Sequence, residues 1–200
     1  MRISVVSDVA RFTAHMDEAA ERQVPFALAR ALTWTAKDAQ GDVQGGLPSR
    51  FTLRNSFLTN SIKIQPASKN DRPFAVVGAT DRVAFMALQE TGGTKHTRSG
   101  SRVAVPIKAK RNKRDIIPMG QRPGALRGKP KIFKVTSGSG AGIMRRVGRK
   151  RYPVEILYWL KHGVTVQPAF GFKGTTSETV SKRFGTNFVE SLSQAMGHRG

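Results

Sequence analysis

Cations outnumber acids so heavily in this chain that most of them have nothing of opposite sign to pair with. There are 34 Lys and Arg against 13 Asp and Glu, a net charge of +21. Charges this dense cannot be buried unpaired. The fold therefore has to keep them outside, around a modest core drawn from the 38% of residues that are apolar. Self-repulsion of this size becomes useful only against a polyanion or an acidic neighbour. Nucleic acid is the default partner, and the alternative is a larger assembly whose other members are acidic.

At 200 residues the chain suits one domain better than two, so a single domain over 1–200 is expected. No apolar run is long enough for a membrane helix, and no membrane partner is expected. MRISVVSDVARF, at 1–12, lacks the apolar stretch and cleavage site of a secretory signal. The absence of cysteine excludes disulfides, thiolate metal sites and a Cys nucleophile, and fits a reducing compartment.

Periodicity supplies the elements. Val9, Phe12, Met16, Ala19 and Ala20 recur at three and four, predicting a helix over 8–22, with Asp17, Glu18 and Glu21 on a solvated face. A second helix is expected from Pro25 through 26–44, buried at Phe26, Leu28, Leu32 and Trp34 and stopped by Gly45, Gly46 and Pro48. Ile62 and Ile64 alternate in a strand ending at Pro66, and FAVVGAT at 74–80 forms a hairpin with it across SKNDRP. Asp81 then reads as the N-cap of a helix that buries Ala84, Phe85 and Leu88 and stops at Gly92 and Gly93.

Residues 94–130 show little apolar periodicity and many cations and prolines. They read as a long basic loop or extended arm with a short strand at 103–107. Strands are expected at 131–137 and 152–158, separated by the turn GSGAG at 138–142. Thr175 and Glu178 have capping-box spacing, and Val180, Phe184, Phe188, Leu192 and Met196 recur every four residues in a C-terminal helix over 175–197. The sum is an α+β fold, a small antiparallel sheet packed against N-terminal (1–46), central (within 50–93) and C-terminal helices, with further strands in 131–170.

Candidate chemistry is sparse. Glu90 and His96 flank the glycine stop and invite an acid–base reading, but no third partner accompanies them. His15, His96, His162 and His198 lie in no recognised signature, so surface or packing roles are expected. A nuclease would need clustered carboxylates; of Asp71, Asp81 and Glu90, the first two read as turn and cap. No zinc pattern is present, GSGAG lacks the following Lys of a phosphate loop, and GFKG at 171–174 matches the GXXG of KH domains only as a loop. No catalytic, cofactor or metal site is expected. The informative constellations are two basic runs. One holds Lys108, Lys110, Arg111, Lys113 and Arg114; the other holds Arg145, Arg146, Arg149, Lys150 and Arg151. Such runs neutralise phosphates without reading sequence, or dock on acidic proteins. They are expected to contact partners and not to support the fold.

The order of elements resembles a family. A helix leads into RFTLRNSFLTNSIKIQPAS, then come a short strand, the helix FMALQETGGTKH, a basic stretch punctuated by prolines, RKRYPVEILY, and a closing amphipathic helix. This is similar to minor tail protein Z and related tail-completion proteins of long-tailed bacteriophages, over roughly 20–197. The resemblance implies a non-enzymatic virion protein, made in the bacterial cytoplasm and placed at the head-proximal end or neck of the tail. It implies a homo-oligomeric ring, a hexamer, touching the tail tube, the head–tail connector and genomic DNA. The alternative is a stand-alone nucleic-acid-binding protein indifferent to sequence.

Overall fold

The structure, a computed structural model, describes residues 2–6, 18–69, 72–97, 102–136 and 140–197. The chain is α+β and divides into two compact units, residues 1–90 with 169–200, and residues 91–168. The part of the first expected helix over 8–17 lies outside the described residues, as do His15, Asp71 and His198.

In the first unit, strands β1 (Arg2–Val6), β2 (Ile62–Gln65) and β3 (Phe74–Ala79) form an antiparallel sheet in the order β1-β3-β2. The expected hairpin is present, with Ile64 opposite Val77. Helix α1 spans Glu18–Arg50 without interruption. It passes through Pro25, where a separate helix was expected to start, and through Gly45 and Gly46, where it was expected to stop. The reason is packing. Leu28, Leu32, Ala36, Ala39, Val43 and Leu47 are buried at helical spacing against Ile62, Ala75 and Val77, and that stripe outweighs the cost of about 1 kcal/mol for each helical glycine. Phe26, by contrast, is exposed, and Trp34 is half-buried beneath the Arg30 guanidinium. Gln40 and Gln44 reach off the helix to the carbonyls of Ile62 and Thr59, at 2.7 and 2.9 Å. They tie it to β2 and to the short helix α2 (Phe57–Ser61).

Residues 81–91 are helical but rotated from expectation. Asp81–Val83 form a 3-10 turn in which Asp81 is not a cap, followed by α3 (Met86–Thr91). The buried side chains are Val83 and Met86, while Ala84 and Phe85 face solvent. The tighter turn advances the phase of the helix by roughly one position. Gly92 then takes φ +72°, where a Cβ would lie 3.1 Å from Pro168 and from the Val166 carbonyl, so the glycine stop is as expected.

Helix α4 (Phe172–Gly197) lies along α1. Phe184 and Phe188 pack against the core, but the most buried positions of α4 are Phe172, Thr176, Thr179 and Ser191, and Met196 is exposed. The seam is polar. Thr179 donates to Asp42 (2.6 Å), and Asn187 donates to Asp38 (2.9 Å) and Thr35 (3.1 Å). GFKG is neither a loop between helices nor a loop at all beyond Gly171; Phe172–Gly174 form the first turn of α4.

In the second unit, β4 (Gly93–Lys95) pairs with β9 (Val164–Val166). A four-stranded antiparallel sheet runs β5-β8-β7-β6, from Val103–Pro106, Val154–Lys161, Gly142–Arg146 and Ile132–Val135. The stretch 94–130 is not an extended arm in its described residues. Ala109 and Leu126 are buried with Ile143, Leu157 and Tyr158, and Ile117 packs beside them. These apolar residues lie in coil and turn without regular spacing, so no period announces them; the face of the sheet recruits them.

If Met86 and not Phe85 faces the core, Met86→Ala should cost about 2–5 kcal/mol in urea denaturation. Phe85→Ser should stay within about 0.5 kcal/mol of the parent. The opposite order would overturn this assignment.

Candidate nucleic-acid interface

Glu90 has a defined task. Its Oε2 accepts from the Phe172 backbone N–H at 2.7 Å and its Oε1 from that of Lys173 at 2.9 Å. These are unsatisfied donors of the first turn of α4, and a carboxylate there also meets the positive end of the helix dipole. The preceding carbonyl, of Gln89, accepts from Ala169 and Phe170 at 2.7 and 2.9 Å. Arg50 donates to the Phe170 carbonyl and to Thr175 Oγ1. Its guanidinium lies against Gly171, where φ is +60° and a Cβ would sit 3.2 Å from Arg50 Nη1, so a side chain there would be strained. Thr175 and Glu178 therefore make no capping box: Thr175 bonds within the helix and to Arg50, and Glu178 pairs with Lys182.

His96 packs on the turn before β9, its Nδ1–H 3.2 Å from the His162 carbonyl, with its ring over Gly163. Among the described residues no three His, Asp or Glu come together as metal ligands would, and no helix is long and apolar enough to cross a membrane.

Charge is distributed very unevenly. Nineteen of the 34 Lys and Arg but only two of the 13 Asp and Glu fall in residues 91–168, which thus carry +17 of the total +21. Both acids are paired within the unit. Arg145 meets Glu155 at 2.7 Å across β7 and β8, and Arg111 meets Asp115 at 2.7 Å inside a tight loop. The loop is closed by Asn112, whose Oδ1 accepts from the backbone of Arg114 and Ile116. The hydrogen bond from Arg145 holds the Glu155 carboxyl below the ordinary glutamate range; partial burial opposes this, while the charges of Arg145 and Lys108 add to it.

Sheet register brings the two basic runs together. Beyond β5, the backbone N–H groups of Ile107 and Lys108 donate to Leu157 and Ile156, extending the ladder to the start of β8. The run 145–151 ends β7 and forms the hairpin tip that enters β8. Both runs, separated by 30 residues of chain, thus lie at one end of one sheet. A third segment joins them: Arg146 N–H donates to the Lys131 carbonyl, placing Lys129 and Lys131 at the same end before β6. Lys129 and Lys131 were not among the expected contact residues. They stand singly and only their strand neighbours reveal them.

The side chains at this end have different employment. Lys108, Lys110, Lys113, Arg114, Arg149 and Lys150 are exposed. Arg146 lies over the Phe133 ring and Arg151 over Tyr152. Arg111 and Arg145, expected only to contact partners, hold the acids of their own unit. Behind them Tyr158 is buried and donates to the Gln121 carbonyl at 2.8 Å. Burial raises its pKa against the opposing charges of Arg111 and Arg122.

Two outcomes follow. Glu90→Ala should lower stability by about 1–3 kcal/mol, with Glu90→Gln recovering part of it because one amide oxygen still accepts; equal losses in both variants would contradict the capping role. Glu155 has a depressed pKa, so its stabilisation is complete above the ordinary glutamate range and is lost as pH falls through its folded value. Melting midpoints followed into acid should therefore fall less steeply for Glu155→Gln than for the parent.

Comparison of the chain with known protein families, with curated proteins and with solved structures finds no match.

Proposed function

We propose that the chain is a non-enzymatic tail-completion or neck subunit of a long-tailed bacteriophage. Copies close into a ring, six in the arrangement that the sequence resemblance implies, at the head-proximal end of the tail. The observation that carries this reading is the concentration of +17 in residues 91–168, with the unit's two acids already paired to arginine. A surface of that kind suits a channel through which a polyanion passes, where steering and retention need no base readout. The use of Glu90 as a helix cap supports the same reading, because the most conspicuous carboxylate is committed to the fold. A ring of identical subunits needs head-to-tail contacts, and a closed one limits assembly.

Mass measurement in solution and electron microscopy of particles carrying a labelled copy test the proposal. The expected result is an oligomer of 21.9 kDa chains, six per ring, with label at the head-proximal end of the tail. A monomer with salt-sensitive DNA affinity and no place in particles would overturn it and favour a stand-alone nucleic-acid-binding protein.

A further inference from the structure

We infer that the end of the four-stranded sheet where β5 finishes and β8 begins is a single composite site for the phosphate backbone of duplex DNA. It is assembled from the loop after β5, the approach to β6 and the β7–β8 hairpin tip. The inference rests on the reading above only in taking a polyanion as partner. Register fixes the geometry. A transect across the sheet passes from Lys108 through Ile156 and Glu155 on β8 to Arg145 on β7 and then to Lys131 and Ile132. Four neighbouring strands at about 4.8 Å span about 14 Å. Just beyond that line lie the exposed side chains of Lys110, Lys113, Arg114, Lys131, Arg149 and Lys150.

Magnitudes choose the partner. Duplex DNA presents one charge per about 1.7 Å of axis with both strands counted, hence about eight phosphates along 14 Å, about four on each strand flanking a groove. An acidic helix of that length has about nine residues and presents about three carboxylates on one face. Six clustered cations with no free acid in the unit match the former. Arg111 and Arg145 are excluded from the contact set because their guanidinium groups hold Asp115 and Glu155. They are positioning residues for the loop and the hairpin. Three exposed apolar side chains, Ile107, Val147 and Tyr152, lie at the same end, and they are what an acidic protein partner would use as anchors.

The test is salt-dependent binding of the full chain to a labelled DNA duplex, followed by fluorescence anisotropy. The slope of log K against log salt should fall in magnitude by about 2.7 when Lys110, Lys113 and Arg114 become Gln. It should fall by a similar amount when Lys131, Arg149 and Lys150 become Gln, with stoichiometry unchanged in both. Two independent sites would instead lose stoichiometry at constant slope, and that result overturns the composite site. An unchanged slope with unchanged stoichiometry in both variants overturns the DNA assignment. Substituting Ile107, Val147 and Tyr152 by Ser should leave the slope as it was; loss of DNA binding through these residues alone, with the Gln variants intact, would overturn a site made of phosphate contacts. Arg145→Gln should lower the melting midpoint, which Lys150→Gln should not. DNA binding lost while the chain still occupies the tail end sinks this inference alone. DNA binding retained with no place in particles sinks only the proposed function.

Discussion

The carboxylate of Glu90 closes the first unit. The chain leaves that unit after residue 90 and comes back to it at 169, so something has to hold the returning strand where α4 can start. The carboxylate does so by accepting from two consecutive backbone N–H groups at Phe172 and Lys173, while the Gln89 carbonyl and Arg50 hold the residues just before. Phe170 and Phe172, 5.5 Å apart at their ring centroids, are thereby carried into the core beside Leu47. A backbone fixed on both polar groups lets the aromatic pair be buried without stranding donors. The seam between α1 and α4 depends on the same start point, since the pairings of Thr179 with Asp42 and Asn187 with Asp38 hold only in one register.

Much of the first unit was legible in the sequence, and what was not has a common cause. The strands at 62–65 and 74–79 follow from period-two alternation between turn residues, and the glycine stop at 92 from the need for a positive φ. The start of α4 could not be read locally, because its cap lies 82 residues earlier in the chain; the Thr175–Glu178 spacing was a local pattern that tertiary contacts overrode. The same override carried α1 through Pro25 and Gly45. At 81–91 the error was one of phase, since a 3-10 turn replaces the first helical turn and moves burial from Phe85 to Met86.

The candidate site divides in the same way. Its cations are legible as runs, 108–114 and 145–151, because clustering of like charge is a property of sequence alone. Their meeting is a property of strand order, and β5-β8-β7-β6 places sequence neighbours β5 and β6 at opposite edges. Lys131 enters the site only through the pairing of its carbonyl with Arg146. The division of labour among arginines is equally invisible in one dimension, where Arg111 and Arg114 look alike, yet only the first holds an acid.

A unit of 78 residues with +17 has little with which to oppose its own repulsion. Its buried cluster consists of Ala109, Leu126, Ile143, Leu157 and Tyr158, a small apolar total beside that of the first unit. Among its described residues two ion pairs and two cation–π contacts offset part of the charge locally, but these lie near the surface, where solvent screening keeps each contribution small. The repulsion is felt most where the basic segments converge, at one end of the sheet. On the proposed reading, a polyanion bound there would remove repulsion from the folded state and, by binding the assembled surface better than the dispersed segments, would stabilise the unit by mass action. Folding and binding would then draw on the same charges: the density that weakens the isolated unit would supply the affinity, and the arginines holding Asp115 and Glu155 would keep the surface assembled for the partner.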